Sequence, residues 1–144
     1  MPIDSVLGFI YFGKAPNNMT ISIPYPSSAP FETARTVTLQ DSSDGSIVAQ
    51  QVGRSRDKQS MSWKVMNCEK WWEINNWIET NGMFFYCRYF NFNRGIWQTR
   101  KFYCSNISCE PFFINSDTDS PDYGKPAHLQ NCTLNVIDMG EVGT

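Results

Sequence analysis

Residues 69–90 read EKWWEINNWIETNGMFFYCRYF, and the change of period inside this stretch decides the fold class. Trp71, Ile74 and Ile78 recur at i, i+3 and i+7 with Trp77 beside them, while Glu73, Asn76 and Glu79 fall on the other side. That is the pattern of a helix buried along one face. Asn67 stands where a side-chain oxygen accepts from the first-turn amides, and Glu69 suits the positive end of the helix dipole. Asn81 or Gly82 supplies the left-handed residue that ends it, so the predicted helix covers about 68–80. Beyond Met83 the period becomes two: Phe84 and Tyr86 project opposite to Phe85, Cys87 and Tyr89, a strand with both faces largely covered. Each ring of the helical stripe contributes roughly 1.5–3 kcal/mol only once it leaves water. Trp71, Ile74, Trp77 and Ile78 are therefore assigned to the core, while Trp72, about 100° around the helix from Trp71, is left between an interface role and a shield for the sheet.

Working toward the N-terminus, SMSWKVM places Met61, Trp63 and Val65 on one side of a strand. RTVTLQ, with Val37 and Leu39 on one face, and IVAQQV, with Ile47 and Val48, flank the polar DSSDGS. They read as a long hairpin whose tip lies around Asp44 and Gly45, where glycine supplies a positive φ. Residues 1–34 hold five of the eight prolines and only one clear strand, MTISI, and are expected to form an extended arm ahead of a single domain at 35–144. Toward the C-terminus, IWQTRKFYC pairs back on the aromatic strand, EPFFINSDTDSPDYGKPAH reads as a long loop, and LQNCTLNVIDM is the last strand, with Cys132, Leu134 and Val136 pointing one way. The predicted class is α+β and mostly antiparallel: a β-sandwich or partial barrel with one flanking helix and a long hairpin.

At 144 residues the chain is one domain's worth, 41% hydrophobic, 15% aromatic and only 18% charged. Few charges keep copies apart, which suits both a subunit that buries its exterior against neighbours and a monomer with a large aromatic core. A formal charge of −2 leaves no basic excess for an extended phosphate footprint, so no specific nucleic-acid partner is expected. VLGFIYF is too short to span a membrane and is preceded by no basic residue, and no membrane association is expected. Cys104 and Cys109 are spaced to close a small disulfide loop, although the five cysteines lie mostly among apolar neighbours and read as buried free thiols.

No catalytic, metal or cofactor constellation emerges. His128 has no ligand-spaced neighbours, and no GxSxG elbow or phosphate-binding glycine loop is present. Asp117, Asp119 and Asp122 approximate a calcium loop, but Pro121 and His128 occupy positions that loop cannot give them. Arg54, Arg56 and Asp57 in GRSRDK read as solvated or interface-paired charges.

Taken in order, the DSSDGS hairpin, GRSRDK, SMSWKVMN, the helix EKWWEINNWIETNG, MFFYCRYF, TRKFYC and the closing NCTLNVIDMG resemble small tail proteins of bacteriophages and prophages, the tail-tube-like group of long-tailed phages of Firmicutes. The resemblance spans about 70% of the chain. It implies a structural, non-enzymatic subunit of the tail (tube, distal or completion ring), present in the virion and assembled in the host bacterial cytoplasm. Its partners would be copies of itself in a ring, six-fold in expectation, and adjacent tail proteins. It further implies that the hairpin bearing Val37, Leu39, Asp44, Gly45, Ile47 and Val48 continues a neighbour's sheet, and that residues 1–34 reach an adjacent ring. The alternative is a carbohydrate-binding β-sandwich whose exposed Trp72, Trp97 or Tyr123 stack on sugar faces.

Overall fold

A computed structural model describes residues 8–140 apart from 36, 42–44, 46 and 52. The chain is mostly antiparallel β with one helix, in the order β1 (Ile10–Ala15), β2 (Asn18–Ile23), β3 (Phe31–Ala34), β4 (Val37–Asp41), β5 (Ile47–Gln51), β6 (Arg56–Met66), α1 (Cys68–Asn81), β7 (Phe84–Asn91), β8 (Ile96–Ile114) and β9 (Pro126–Asp138). Seven strands form one sheet in the order β2-β1-β7-β8-β9-β6-β3, and β4 and β5 pair separately.

The connection from β2 to β3 forces that sheet to curl. In a flat sheet β2 and β6 would lie five strand spacings apart, about 24 Å. Yet Ser27 and Ser28 N–H both donate to Ser62 O on β6, only four and five residues beyond Ile23 at the end of β2, and that length of chain spans at most about 18 Å. The Trp63 indole of β6 also donates to Pro24 O at 3.3 Å. The two edges therefore approach each other, making a partial barrel.

Alternation fills its interior. Phe85, Cys87, Tyr89 and Asn91 of β7, Cys132, Leu134, Val136 and Asp138 of β9, and Asp57, Gln59, Met61 and Trp63 of β6 all point inward and are buried. The helix follows its predicted pattern, one residue longer than expected. Asn67 Oδ1 accepts from Glu69 N and Lys70 N at 2.9 and 3.2 Å, and Gly82 ends it at φ 86°. Trp71, Ile74 and Ile78 are buried; Trp77 is half-buried, packs on Phe12 and Phe85, and donates its indole N–H to Thr20 Oγ1. Trp71 meets Trp63 edge-on at 5.6 Å. The helix thus covers the end of the interior marked by Trp63 and Phe85, leaving the other end to Asp57, Tyr89, Asn91 and Asp138.

Three expectations need correction. The arm expected at 1–34 is, over residues 10–34, three strands of the sheet, with Ile10, Phe12 and Ile23 fully buried. Gly13 hides this in the sequence: it breaks the apolar alternation, but a Cβ there would collide with Asn18 O, so the tight, bulged β1–β2 hairpin requires it. Second, the loop expected from Glu110 to His128 contracts to residues 115–125, because β8 runs on to Ile114 and β9 starts at Pro126. Phe112, Phe113 and Ile114 favour a strand, and Pro111 is tolerated because β7 pairs β8 only as far as Tyr103. Third, Val65 is 64% exposed and Met66 points inward in its place, because pairing between β6 and β9 skips from Trp63↔Cys132 to Val65↔Gln130, next to Asn131 at φ 50°.

Candidate functional site: an unpaired ribbon and its charged base

The hairpin predicted around DSSDGS is present as the β4–β5 ribbon, in register from Val37↔Gln51 to Asp41↔Ile47, and among the described residues its strands pair only with each other. Val37 and Leu39 are 49% and 66% exposed. Gly45 has φ 87°, the left-handed value a tight turn asks of glycine. Asp44 lies outside the described residues, and so do the side chains of Ile47 and Val48. A two-stranded ribbon is marginal in water at best.

The chain leaves the sheet for this ribbon at Arg35 and returns at Arg54, and at that point sits a buried polar network. Arg54 grips Asp138 through both terminal nitrogens, Nη1 to Oδ2 at 2.5 Å and Nη2 to Oδ1 at 2.7 Å, and Gly140 N donates to Asp138 Oδ1. Arg100 Nη1 lies between Asp57 and Asp138, 3.3 and 3.4 Å from a carboxylate oxygen of each. Asp57, 1% exposed, also accepts from Tyr89 Oη at 2.5 Å, Asn91 Nδ2 at 3.2 Å and Thr33 Oγ1 at 2.8 Å. Burial alone would raise the Asp138 carboxyl, but the Arg54 hydrogen bonds and the Gly140 amide outweigh it and hold the group below its ordinary value. Burial, then the Asp57 hydrogen bond, pushes the Tyr89 hydroxyl far up, so it stays protonated and donates. Arg54 is raised by its hydrogen bonds to Asp138.

This corrects the reading of Arg54 and Asp57 in GRSRDK as solvated or interface-paired charges. Arg54 and Asp57 are committed within the chain, and of the three only Arg56 is exposed without an ion pair among the described residues. Sequence reasoning missed Thr33, Tyr89, Asn91, Arg100 and Asp138. A signal was available: Asp138 continues the inward series Cys132, Leu134, Val136, and Asp57 precedes Gln59, Met61 and Trp63 in phase. A charge in step with an apolar face must meet a countercharge inside.

The remaining candidates are scattered. Trp72, Trp97 and Tyr123 are 40%, 45% and 56% exposed. Trp97 leans on Phe90 and Tyr11, with the Arg88 guanidinium 5.8 Å from its ring centroid. His128 stacks on Phe112 at 4.4 Å. Asp117 Oδ1 accepts from the Asp119 amide, while the Asp117 and Asp122 amides donate to Asn115 Oδ1 and Ser120 Oγ, which are themselves joined by Asn115 Nδ2 donating to Ser120 Oγ. All five cysteines are free thiols; Cys68, Cys87 and Cys132 are buried, and burial raises Cys104 and Cys132 to about 11. No helix among the described residues is long and apolar enough to cross a membrane. Comparison of the chain with protein-family models, curated proteins and solved structures finds no match.

Proposed function

We propose that the protein is a non-enzymatic structural subunit of a phage tail, in the tube, a distal ring or a completion ring, built in the host bacterial cytoplasm as a homo-oligomeric, six-fold ring that contacts adjacent tail proteins. The single observation that carries this reading is the β4–β5 ribbon, which among the described residues pairs only with itself while leaving Val37 and Leu39 in solvent. A ribbon of this kind gains stability by adding its edge to another sheet, and a closed ring satisfies every such edge without leaving an open end. The buried clamp of Arg54 on Asp138 ties the ribbon's return to β9, so a pull on the ribbon is borne by the sheet. The ordered resemblance of residues 35–140 to tail-tube-like proteins supports the same reading.

Size-exclusion chromatography with light scattering and negative-stain microscopy tests it: rings are expected at high protein concentration or on co-expression with neighbouring tail genes. A chain that stays monomeric under both conditions overturns the proposal. The carbohydrate-binding alternative draws on the exposed Trp72, Trp97 and Tyr123. It leaves the ribbon unexplained, and Trp97 is already engaged by Arg88 and two rings. Glycan-array binding abolished by Trp97→Ala would put it first.

A further inference from the structure

At the end of the barrel opposite the helix, a cavity of about 750 Å³ opens beside the buried network, with Arg35, Arg54, Arg94 and Arg100 among its walls together with Thr33 and Asn93. Two of these guanidinium groups are matched: Arg54 and Arg100 face Asp138 and Asp57, and their side chains are only 20% and 15% exposed. Arg35 and Arg94, both exposed, have no carboxylate within ion-pair distance among the described residues. Four cations therefore stand against two buried anions, leaving a formal excess of two positive charges around one concavity in a chain whose net charge is −2.

Like charges gathered in this way repel unless an anion sits among them. Asp57 and Asp138 hold the inner two guanidinium groups in place, so little ordering is left for binding. Asn93 Nδ2 donates to Thr33 Oγ1, which itself donates to Asp57. That chain leaves the wall polar but, among the described residues, without a further carboxylate paired with the outer arginines. Guanidinium forks match the oxygens of a phosphoryl group in pairs, and a dianion of that class balances the excess. The volume is that of a small-molecule pocket and well beyond one inorganic ion.

We propose that this cavity binds the phosphoryl group of a small phosphorylated ligand, gripped by Arg35 and Arg94 with Arg54 and Arg100 behind them. The site does not depend on the assembly reading, and each can fail without the other. Calorimetric titration of the whole chain with inorganic phosphate, pyrophosphate and succinate at constant ionic strength tests it, with Arg35→Ala/Arg94→Ala as the comparison. Both substituted residues are exposed, so the variant is expected to keep the wild-type thermal midpoint. Saturable pyrophosphate binding, tighter than phosphate and succinate and weakened at least tenfold in the variant, is the expected result. No saturable binding, equal binding by the two proteins, or succinate binding as tightly as pyrophosphate overturns the proposal; the last would assign the cavity to carboxylates, such as those of a neighbouring chain.

Discussion

Arg54 and Asp138 are 84 residues apart in sequence yet joined by two contacts of 2.5 and 2.7 Å, with Asp138 fully buried. Removing one member of such a pair leaves a buried charge uncompensated, which typically costs about 3–5 kcal/mol. Arg100 and the Gly140 amide stay on Asp138, so Arg54→Ala is expected to lower unfolding stability by the lower end of that range, about 3 kcal/mol, at neutral pH in urea titrations. Acid separates this from a packing effect. Asp138 has a depressed carboxyl in the folded chain, so its contribution is complete above the unfolded value of 3.8 and disappears as pH falls through the lower folded value. Without Arg54 the carboxyl loses the largest of the contacts that hold it down, and protonation then lessens the penalty. The gap between wild type and variant should narrow on acidification below about pH 4; a gap that stays constant would refute the ion-pair account. These partners were only partly legible beforehand. The inward phase of Asp57 and Asp138 is written in the strand alternation, but which arginine meets which aspartate depends on strand order, which local pattern does not contain.

Among the elements, the helix was the most legible, because its period, N-cap and terminating glycine are local. Its two adjacent tryptophans provide the test. Trp71 is 3% exposed and touches Trp63, whereas Trp72 is 40% exposed. Trp71→Ala should cost about 3–5 kcal/mol, and Trp72→Ala should stay within about 0.5 kcal/mol, as measured by chemical denaturation. Equal effects would mean that the apolar stripe has been placed wrongly around the cylinder. The β4–β5 hairpin was legible for the same local reason. By contrast, β1 and β3 were missed because a bulge at Gly13 and a run of prolines look like breakers until a neighbouring strand is supplied. The outer half of β8 was missed because Pro111 and the aspartates after Ile114 resemble loop. Nothing within ten residues of them reveals that β9 lies alongside.

At the scale of the whole molecule, the ribbon's exposed residues are the place to separate folding from assembly. Val37→Asp/Leu39→Asp replaces side chains that are 49% and 66% exposed, so the chain's own stability should change by less than about 0.5 kcal/mol per site. The ring formation proposed for this chain, followed by light scattering and microscopy, should be lost. Rings that persist in this variant would remove the ribbon from the interface. Taken by itself, the sequence determined what short-range chemistry can determine: a helix at about 68–80 with its buried stripe, a turn at Gly45, and strands whose alternation marks an inner face. Only the tertiary structure decided that the N-terminal segment belongs to the sheet, that its two edges approach each other, and that Asp57, Tyr89, Arg100 and Asp138 meet at one end of the barrel. Those outcomes come from pairing between strands distant in the chain. The free energy of such pairing depends on which surfaces are already buried together, a property of the assembled sheet that no single window of residues carries.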